Sequence, residues 1–228
     1  MMKITSIQVG TPTNYSHNQK SAINKQPVDG PIYVGVDNLA GDKQADLQVH
    51  GGRDKAVYVY PMEHYAYWQQ STGLLRKPRL KLPKNPHGSF GENLTLSGLS
   101  EDKVCIGDVF ACGEVLLQVT QPREPCWKLA FKFKQKKLPM WVITSGRTGW
   151  YMRVLNEGEI EGGMTMTQVE QGCQDWSVLT SNQLYHSKIA NPDKLESIIH
   201  CAGLSESWRS SFERRLQILL QRSKNNCS

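Results

Sequence analysis

Val115-Leu116-Leu117-Gln118-Val119-Thr120-Gln121-Pro122-Arg123-Glu124-Pro125-Cys126-Trp127-Lys128 decides how the rest of the chain is read. Its first half is rich in β-branched and aliphatic residues and follows a turn at Gly113, which predicts a strand. Its second half carries two prolines that fix the backbone over a short stretch. A loop held that way presents one side chain accurately, and Cys126 is that side chain. Arg123 and Lys128 lie close in sequence, and cations favour the thiolate, the form that binds a soft metal or attacks an electrophile. These residues alone leave two readings open, a functional thiol and a buried inert one.

Outward from this strand the first three-quarters of the chain reads as β. Strands are predicted at Ile4 to Val9, Ile32 to Val36, Lys55 to Tyr60, Val104 to Ile106, Val109 to Ala111, Trp150 to Leu155 and Met164 to Val169. Short strands with dense Gly and Pro punctuation suggest a barrel or sandwich, and a barrel leaves no free edges. One helix is expected to start at Pro61, with Met62, Tyr65 and Trp68 on one face, and another around Lys128 to Lys136. The last fifty residues predict three short helices. Thr180-Ser181-Asn182-Gln183 matches a capping box. Asn191-Pro192 starts a second helix that Gly203 stops. Ser205 caps a third, with Trp208, Phe212, Leu216 and Leu219 in one stripe.

The 228 residues are 39% hydrophobic and 21% charged, enough for a sizeable core and too few charges for wholesale disorder. No apolar run reaches bilayer length, and no apolar segment follows Lys3 at the N-terminus, so a cytoplasmic protein that neither spans a membrane nor is exported is expected. The six cysteines form no C-x-x-C pair, so reduced thiols and no structural zinc are expected. The net charge of +6 raises nucleic acid as a partner. However, the densest basic run, Arg76 to Lys84, is broken by prolines and reads as a solvated loop. Nucleic acid is therefore disfavoured. Hydrolase, P-loop and Rossmann signatures are absent.

Four further segments could carry chemistry. In Val49-His50-Gly51-Gly52-Arg53-Asp54-Lys55-Ala56, two glycines between His50 and Arg53 let backbone amides approach an anion, although a charged turn has the same composition. Lys20-Ser21-Ala22-Ile23 places a cation beside a hydroxyl. Phe90-Gly91-Glu92-Asn93-Leu94 offers a carboxylate and an amide to a heterocycle edge, or simply makes a turn. Thr148-Gly149-Trp150 reads as a strand entry.

Together, in their order along the chain, these segments and Gln121 to Leu129 resemble the MOSC family, which takes its name from the C-terminal domain of molybdenum cofactor sulfurase, and within it the bacterial YiiM branch. Ala202 to Trp208 and Arg214-Arg215-Leu216 resemble that branch's helical tail. The resemblance implies a mostly β fold: a MOSC-type β-barrel with a few helices over residues 1–172, and a small C-terminal three-helix domain over 173–228. It implies a molybdopterin-type cofactor with Cys126 as the metal ligand. The cofactor phosphate would lie among Lys20, Ser21, His50 and Arg123, and Asn93 would fix the pterin; Lys25, Arg53 and Lys128 are weaker candidates. The implied activity is two-electron reduction of N-hydroxylated small molecules, such as 6-N-hydroxylaminopurine, from N–OH to N–H. A separate electron-donor reductase would be the partner. The alternative is a carrier of cofactor or sulfur with no turnover of its own.

Overall fold

The strand predicted from Val115 runs to Pro122, and its neighbours close a ring around it. The computed structural model describes residues 2–16, 18–45, 51–70, 79–189 and 191–226. The elements are β1 (Met2–Val9), β2 (Thr13–Ser16), β3 (Gln19–Ser21), β4 (Gln26–Pro27), β5 (Ile32–Val34), a 3-10 turn (Arg53–Lys55), β6 (Val57–Pro61), α1 (Glu63–Gln69), β7 (Leu94–Ser97), β8 (Val109–Cys112), β9 (Val115–Pro122), α2 (Trp127–Lys132), α3 (Leu138–Ser145), β10 (Trp150–Asn156), β11 (Gly158–Ile160), β12 (Thr165–Glu170), α4 (Val178–His186), α5 (Pro192–Ile199) and α6 (Glu206–Asn226).

Seven strands pair in the order β12, β8, β9, β10, β6, β7, β1, and β1 returns to β12, so the sheet closes into a barrel. Closure removes the edges of a sheet that would otherwise pair with other chains. The ladders are antiparallel except β6 with β7. Along β9, Val115, Leu117 and Val119 are buried at every second position, as a strand with one face on the core requires. From Thr120 to Pro122 every residue is buried, because other parts of the chain cover both faces there. The register aligns Pro122, Trp150, Val59, Leu94 and Ile7 in one row across five neighbouring strands. Arg123, Tyr151, Tyr58 and Asn93 lie one residue beyond members of this row.

Several expectations shift. Val104 to Ile106 is not a strand; Cys105 makes one isolated bridge to Ser177. Pro61 ends β6, and α1 begins two residues later with Tyr65 and Trp68 on its buried face. The helix predicted over Lys128 to Lys136 is α2, which ends at Lys132 before Lys134 at φ 51; α3 lies beyond the predicted range and is an unforeseen element. The proposed capping box at Thr180 is interior to α4. Its cap is Ser177, whose Oγ accepts from Thr180 N at 3.1 Å. Asn191 and Ser205 cap α5 and α6 as expected, accepting from Asp193 N at 2.8 Å and Trp208 N at 3.3 Å.

The three tail helices share one apolar cluster with the barrel. Val104, Ile106 and Val119 belong to it, as do Trp176, Leu195, Leu204, Trp208 and Phe212. Gly203 does not stop a helix, since α5 ends at Ile199; its role is closeness. A Cβ on it would lie 2.1 Å from Gly107 Cα, so only glycine lets the tail backbone touch the barrel here. The expectation of reduced thiols is corrected at the same seam. Cys173 and Cys201 form a disulfide with Cα atoms 6.0 Å apart, because docking of the tail brings together two residues that are 28 apart in sequence.

Candidate functional site

A cleft opens beside the Pro122–Ile7 row. It is lined by Ser21, Lys25, Asp42, Lys55, Tyr58, Asn93, Arg123, Cys126, Lys128 and Tyr151, among others, and is open to solvent on one side. Six separate regions of chain supply these side chains, and the fold brings them together.

Asn93 precedes β7, and its amide is tied in place. Its Oδ1 accepts from Tyr58 N at 3.1 Å, and its Nδ2 donates to Asp42 Oδ2 at 2.9 Å. Asp42 in turn accepts from Gly10 N at 2.7 Å and pairs with Lys25. Both members of the pair are buried. Burial pushes the Lys25 ammonium down from the ordinary lysine range, against the pull of Asp42. Ser21 is buried on β3, and its Oγ accepts from Ile23 N at 3.2 Å.

Arg123 follows β9, held by its backbone N donating to Gly149 O at 3.1 Å. Gly149 has φ +65, and a Cβ there would lie 2.2 Å from Val59 O. Its own N donates at 2.8 Å to Glu101, the carboxylate that also holds His64 of α1. The Arg123 guanidinium is buried, sits 5.4 Å from the Tyr58 ring centroid and lies near the Tyr151 phenol. Its Nη1 is buried and has no hydrogen-bond partner among the described residues. An arginine cannot shed its proton, so this is a buried cation short of a partner. Burial raises Tyr151, with Arg123 opposing, so its phenol keeps its proton.

Cys126 opens on the same cleft at intermediate exposure, one residue before α2. Tyr15, from β2, donates its hydroxyl to Lys128 O at 2.9 Å. Its pKa is pushed up to about 12, by burial first and by Cys126 second. Burial lowers Lys55, with Glu124 and Asp54 opposing. Among the lining residues Lys25, Lys43, Lys55, Arg123 and Lys128 stand against one carboxylate, that of Asp42, with Glu124 and Asp54 near Lys55, so the cleft carries surplus positive charge beside a thiol. No group of three or more His, Cys, Asp or Glu among the described residues could hold a bare metal ion. A metal bound to Cys126 would have to bring its other ligands with it.

Of the residues proposed from sequence, Ser21, Asn93, Arg123 and Cys126 line the cleft. Lys20 does not; it is exposed on β3, pointing away from its buried neighbour as strand alternation requires. His50 lies outside the described residues. Lys25 and Lys128 line the cleft, whereas Arg53 is exposed in the 3-10 turn. Glu92 makes turn chemistry: it is buried and accepts from Gly88 N at 2.7 Å, Phe90 N at 2.9 Å and the Tyr65 hydroxyl. Asp42, Tyr58 and Tyr151 were missed. The tyrosines read as ordinary strand aromatics, and only the Tyr151–Tyr58 pairing places them here.

The model of the MOSC domain matches residues 46–167, and that of the YiiM-like 3-alpha helix domain matches 176–218. The chain is 40% identical over 220 residues to an uncharacterized protein of Bacillus subtilis, YflK, covering 95% of this chain and 96% of that one. It is 34% identical to protein YiiM of Escherichia coli, covering 92% and 90%. A protein of Gibberella moniliformis named a reductase is 38% identical over 173 residues, 74% of this chain but 29% of that one. Among solved structures, YiiM from Geobacillus stearothermophilus superposes with a TM-score of 0.77 at 38% identity, covering 95% of this chain and all of that one. With a barrel that carries a cation-lined cleft, a cysteine opening on it and a docked helical tail, the chain belongs to the MOSC domain family, in the branch that bears a YiiM-like three-helix domain.

Proposed function

We propose that the protein is a molybdenum-cofactor-dependent reductase of N-hydroxylated small molecules. The observation that carries the reading is Arg123 Nη1, buried without a partner beside a thiol on a cleft with surplus positive charge. An anionic ligand that also brings a thiol-binding metal satisfies both features at once.

In this reading Cys126 is the protein's metal ligand, a soft thiolate for a metal whose remaining ligands come with the cofactor. Arg123, Ser21, Lys55 and Lys128 hold its anionic groups, by charge-assisted hydrogen bonds where geometry allows. His50 belongs to the same reading. Asn93 contributes through the Tyr58 and Asp42 contacts that fix the wall of the cleft. When bound, the molybdenum supplies two-electron redox chemistry and accepts oxygen. The overall reaction is R–NHOH with two electrons and two protons giving R–NH2 and water. The electrons come from a separate donor protein. Residues 1–172 act as the cofactor domain. The tail from 173 borders the cleft loop, where Ser207 Oγ donates to Gln121 Oε1 at 3.2 Å, and it shapes access for substrate.

The test is turnover of 6-N-hydroxylaminopurine by cofactor-loaded protein, driven by reduced methyl viologen. Consumption of substrate by wild type and none by Cys126→Ala is expected. A molybdenum-loaded wild type that consumes none would refute the reading.

A further inference from the structure

Residues 13–25, 79–91 and 125–156 contain twelve Lys or Arg and no Asp or Glu. The rest of the chain, with fifteen cations and 21 carboxylates, is net −6, so these three stretches carry the whole positive excess. They lie far apart in sequence and meet in space. The Tyr15 ring meets Phe131 edge-on at 5.1 Å, and Phe90 packs on Phe133 at 5.4 Å. Lys132 Nζ donates to Ile23 O at 3.1 Å and Gly88 O at 3.2 Å, tying α2 to both other stretches. Leu80 and Leu82 share an apolar cluster with Leu129 and Phe133, so residues 79–84 of the basic run lie against α2, while its first three residues fall outside the described ones.

On these stretches Lys20, Arg79, Lys81, Lys84, Lys134, Lys136 and Lys137 are exposed. Among them Trp127, Phe131 and Met140 are 40%, 47% and 50% exposed, all within fourteen residues of one another. Single exposed apolar residues are ordinary; three on two consecutive short helices, in a stretch whose charged residues are all cations, mark an interface. The complementary surface is acidic with an apolar centre, and opposite charge steers such a partner into place. Trp127 follows Cys126 directly, so whatever covers it sits next to the cleft.

We propose that this face docks an acidic electron-transfer protein carrying a flavin or iron–sulfur centre, which supplies the electrons of the reaction. The proposal rests on the reductase reading above. The reduced partner gives up two electrons, singly or together, and is oxidised; R–NHOH takes them with two protons from solvent and leaves as R–NH2 and water. Single-stranded nucleic acid also favours basic, aromatic surfaces. The acidic protein is favoured because the exposed apolar groups include Met140, which offers no stacking face, and because the reaction needs a reductant.

The experiment compares cofactor-loaded wild type with the Lys81→Glu/Lys84→Glu/Lys136→Glu/Lys137→Glu variant. Turnover of 6-N-hydroxylaminopurine is driven by methyl viologen, by reduced flavodoxin or by reduced plant-type ferredoxin, at low and high salt. Equal viologen rates, with a protein-driven rate lowered about tenfold or more in the variant and lowered likewise by salt in wild type, are expected. Protein-driven rates equal in both forms would overturn the proposal. So would viologen turnover in wild type without turnover from either protein, or binding of a single-stranded oligonucleotide but of neither protein. Absence of viologen turnover in wild type would instead remove the reductase reading, and the docking proposal with it.

Discussion

The cleft and the tail seam sit on the same barrel and partner their arginines differently. At the seam, arginines end on carbonyls: Arg215 reaches Leu184 O, Tyr185 O and Ser187 O at 2.9 to 3.0 Å, and Arg209 reaches Cys201 O at 2.9 Å. Asp54 accepts from Glu206 N at 2.9 Å at the start of α6 and pairs with Arg153 at 2.8 Å. Both regions keep a buried nitrogen without a hydrogen-bond partner, Arg153 Nε and Trp208 Nε1 at the seam and Arg123 Nη1 in the cleft, but Arg153 is paired with a carboxylate, whereas the more deeply buried Arg123 has no ion pair among the described residues. A buried charge that is paired holds a fold together, whereas one left unpaired costs stability. The difference separates arginines that fasten the tail from one left with an unpaired charge on an open cleft.

The largest effect should come from the apolar side of the seam. Phe212 is fully buried and packs edge-on against Trp208 and Tyr185. Phe212→Ala should lower unfolding stability by about 3–5 kcal/mol in a denaturant titration. A cost under about 1 kcal/mol would mean that the seam is not a core.

Next in size is the Cys173–Cys201 disulfide, which closes a loop of 28 residues. Its reduction should cost about 3–4 kcal/mol through the freedom it returns to the unfolded chain. Denaturation midpoints measured with and without reductant read this directly, and identical midpoints would show that the bond does not contribute.

A matched pair of arginine substitutions tests the comparison itself. Arg215→Met leaves three carbonyls short and should cost about 1–3 kcal/mol. Arg123→Met in ligand-free protein should be neutral or stabilising within about 1 kcal/mol, because it removes an underpaired buried cation. Equal costs at the two positions, by the same melt, would break the contrast.

A further effect is a pH dependence. Burial, opposed by Glu92 and reinforced by Arg123, holds the Lys132 ammonium down to about 8. Its unfolded value is the ordinary 10.5. Between those values the unfolded chain holds a proton that the folded chain has released, so this group makes stability rise as pH rises through the window. Lys132→Met should lose that rise. A wild-type-minus-variant stability difference that stays flat from pH 8 to 10.5 would contradict the assignment.

What the sequence showed and what it hid divide along the same line. The β9 strand, its proline-fixed loop and the caps at Asn191 and Ser205 are local, and local chemistry specifies them. The α4 cap was misplaced because Ser177 and Thr180 each head a stretch of helical pattern, and only packing of Val178 selects the first. The disulfide was hidden because its proximity follows from tail docking and not from spacing. The cleft was half legible. Cys126 and Arg123 share one loop, but the Asn93–Asp42–Lys25 chain joins three segments, and Tyr58 meets Tyr151 only through barrel register.

The central claim is that Cys126 holds a metal that arrives with an anionic cofactor. The direct measurement is molybdenum by mass spectrometry and oxidised pterin by fluorescence, on wild type and Cys126→Ala purified without chelators from a host that makes the cofactor. The account expects molybdenum and pterin in equal amounts near one per chain in wild type, and metal lost in the variant. A folded wild type carrying neither, from a competent host, would contradict it.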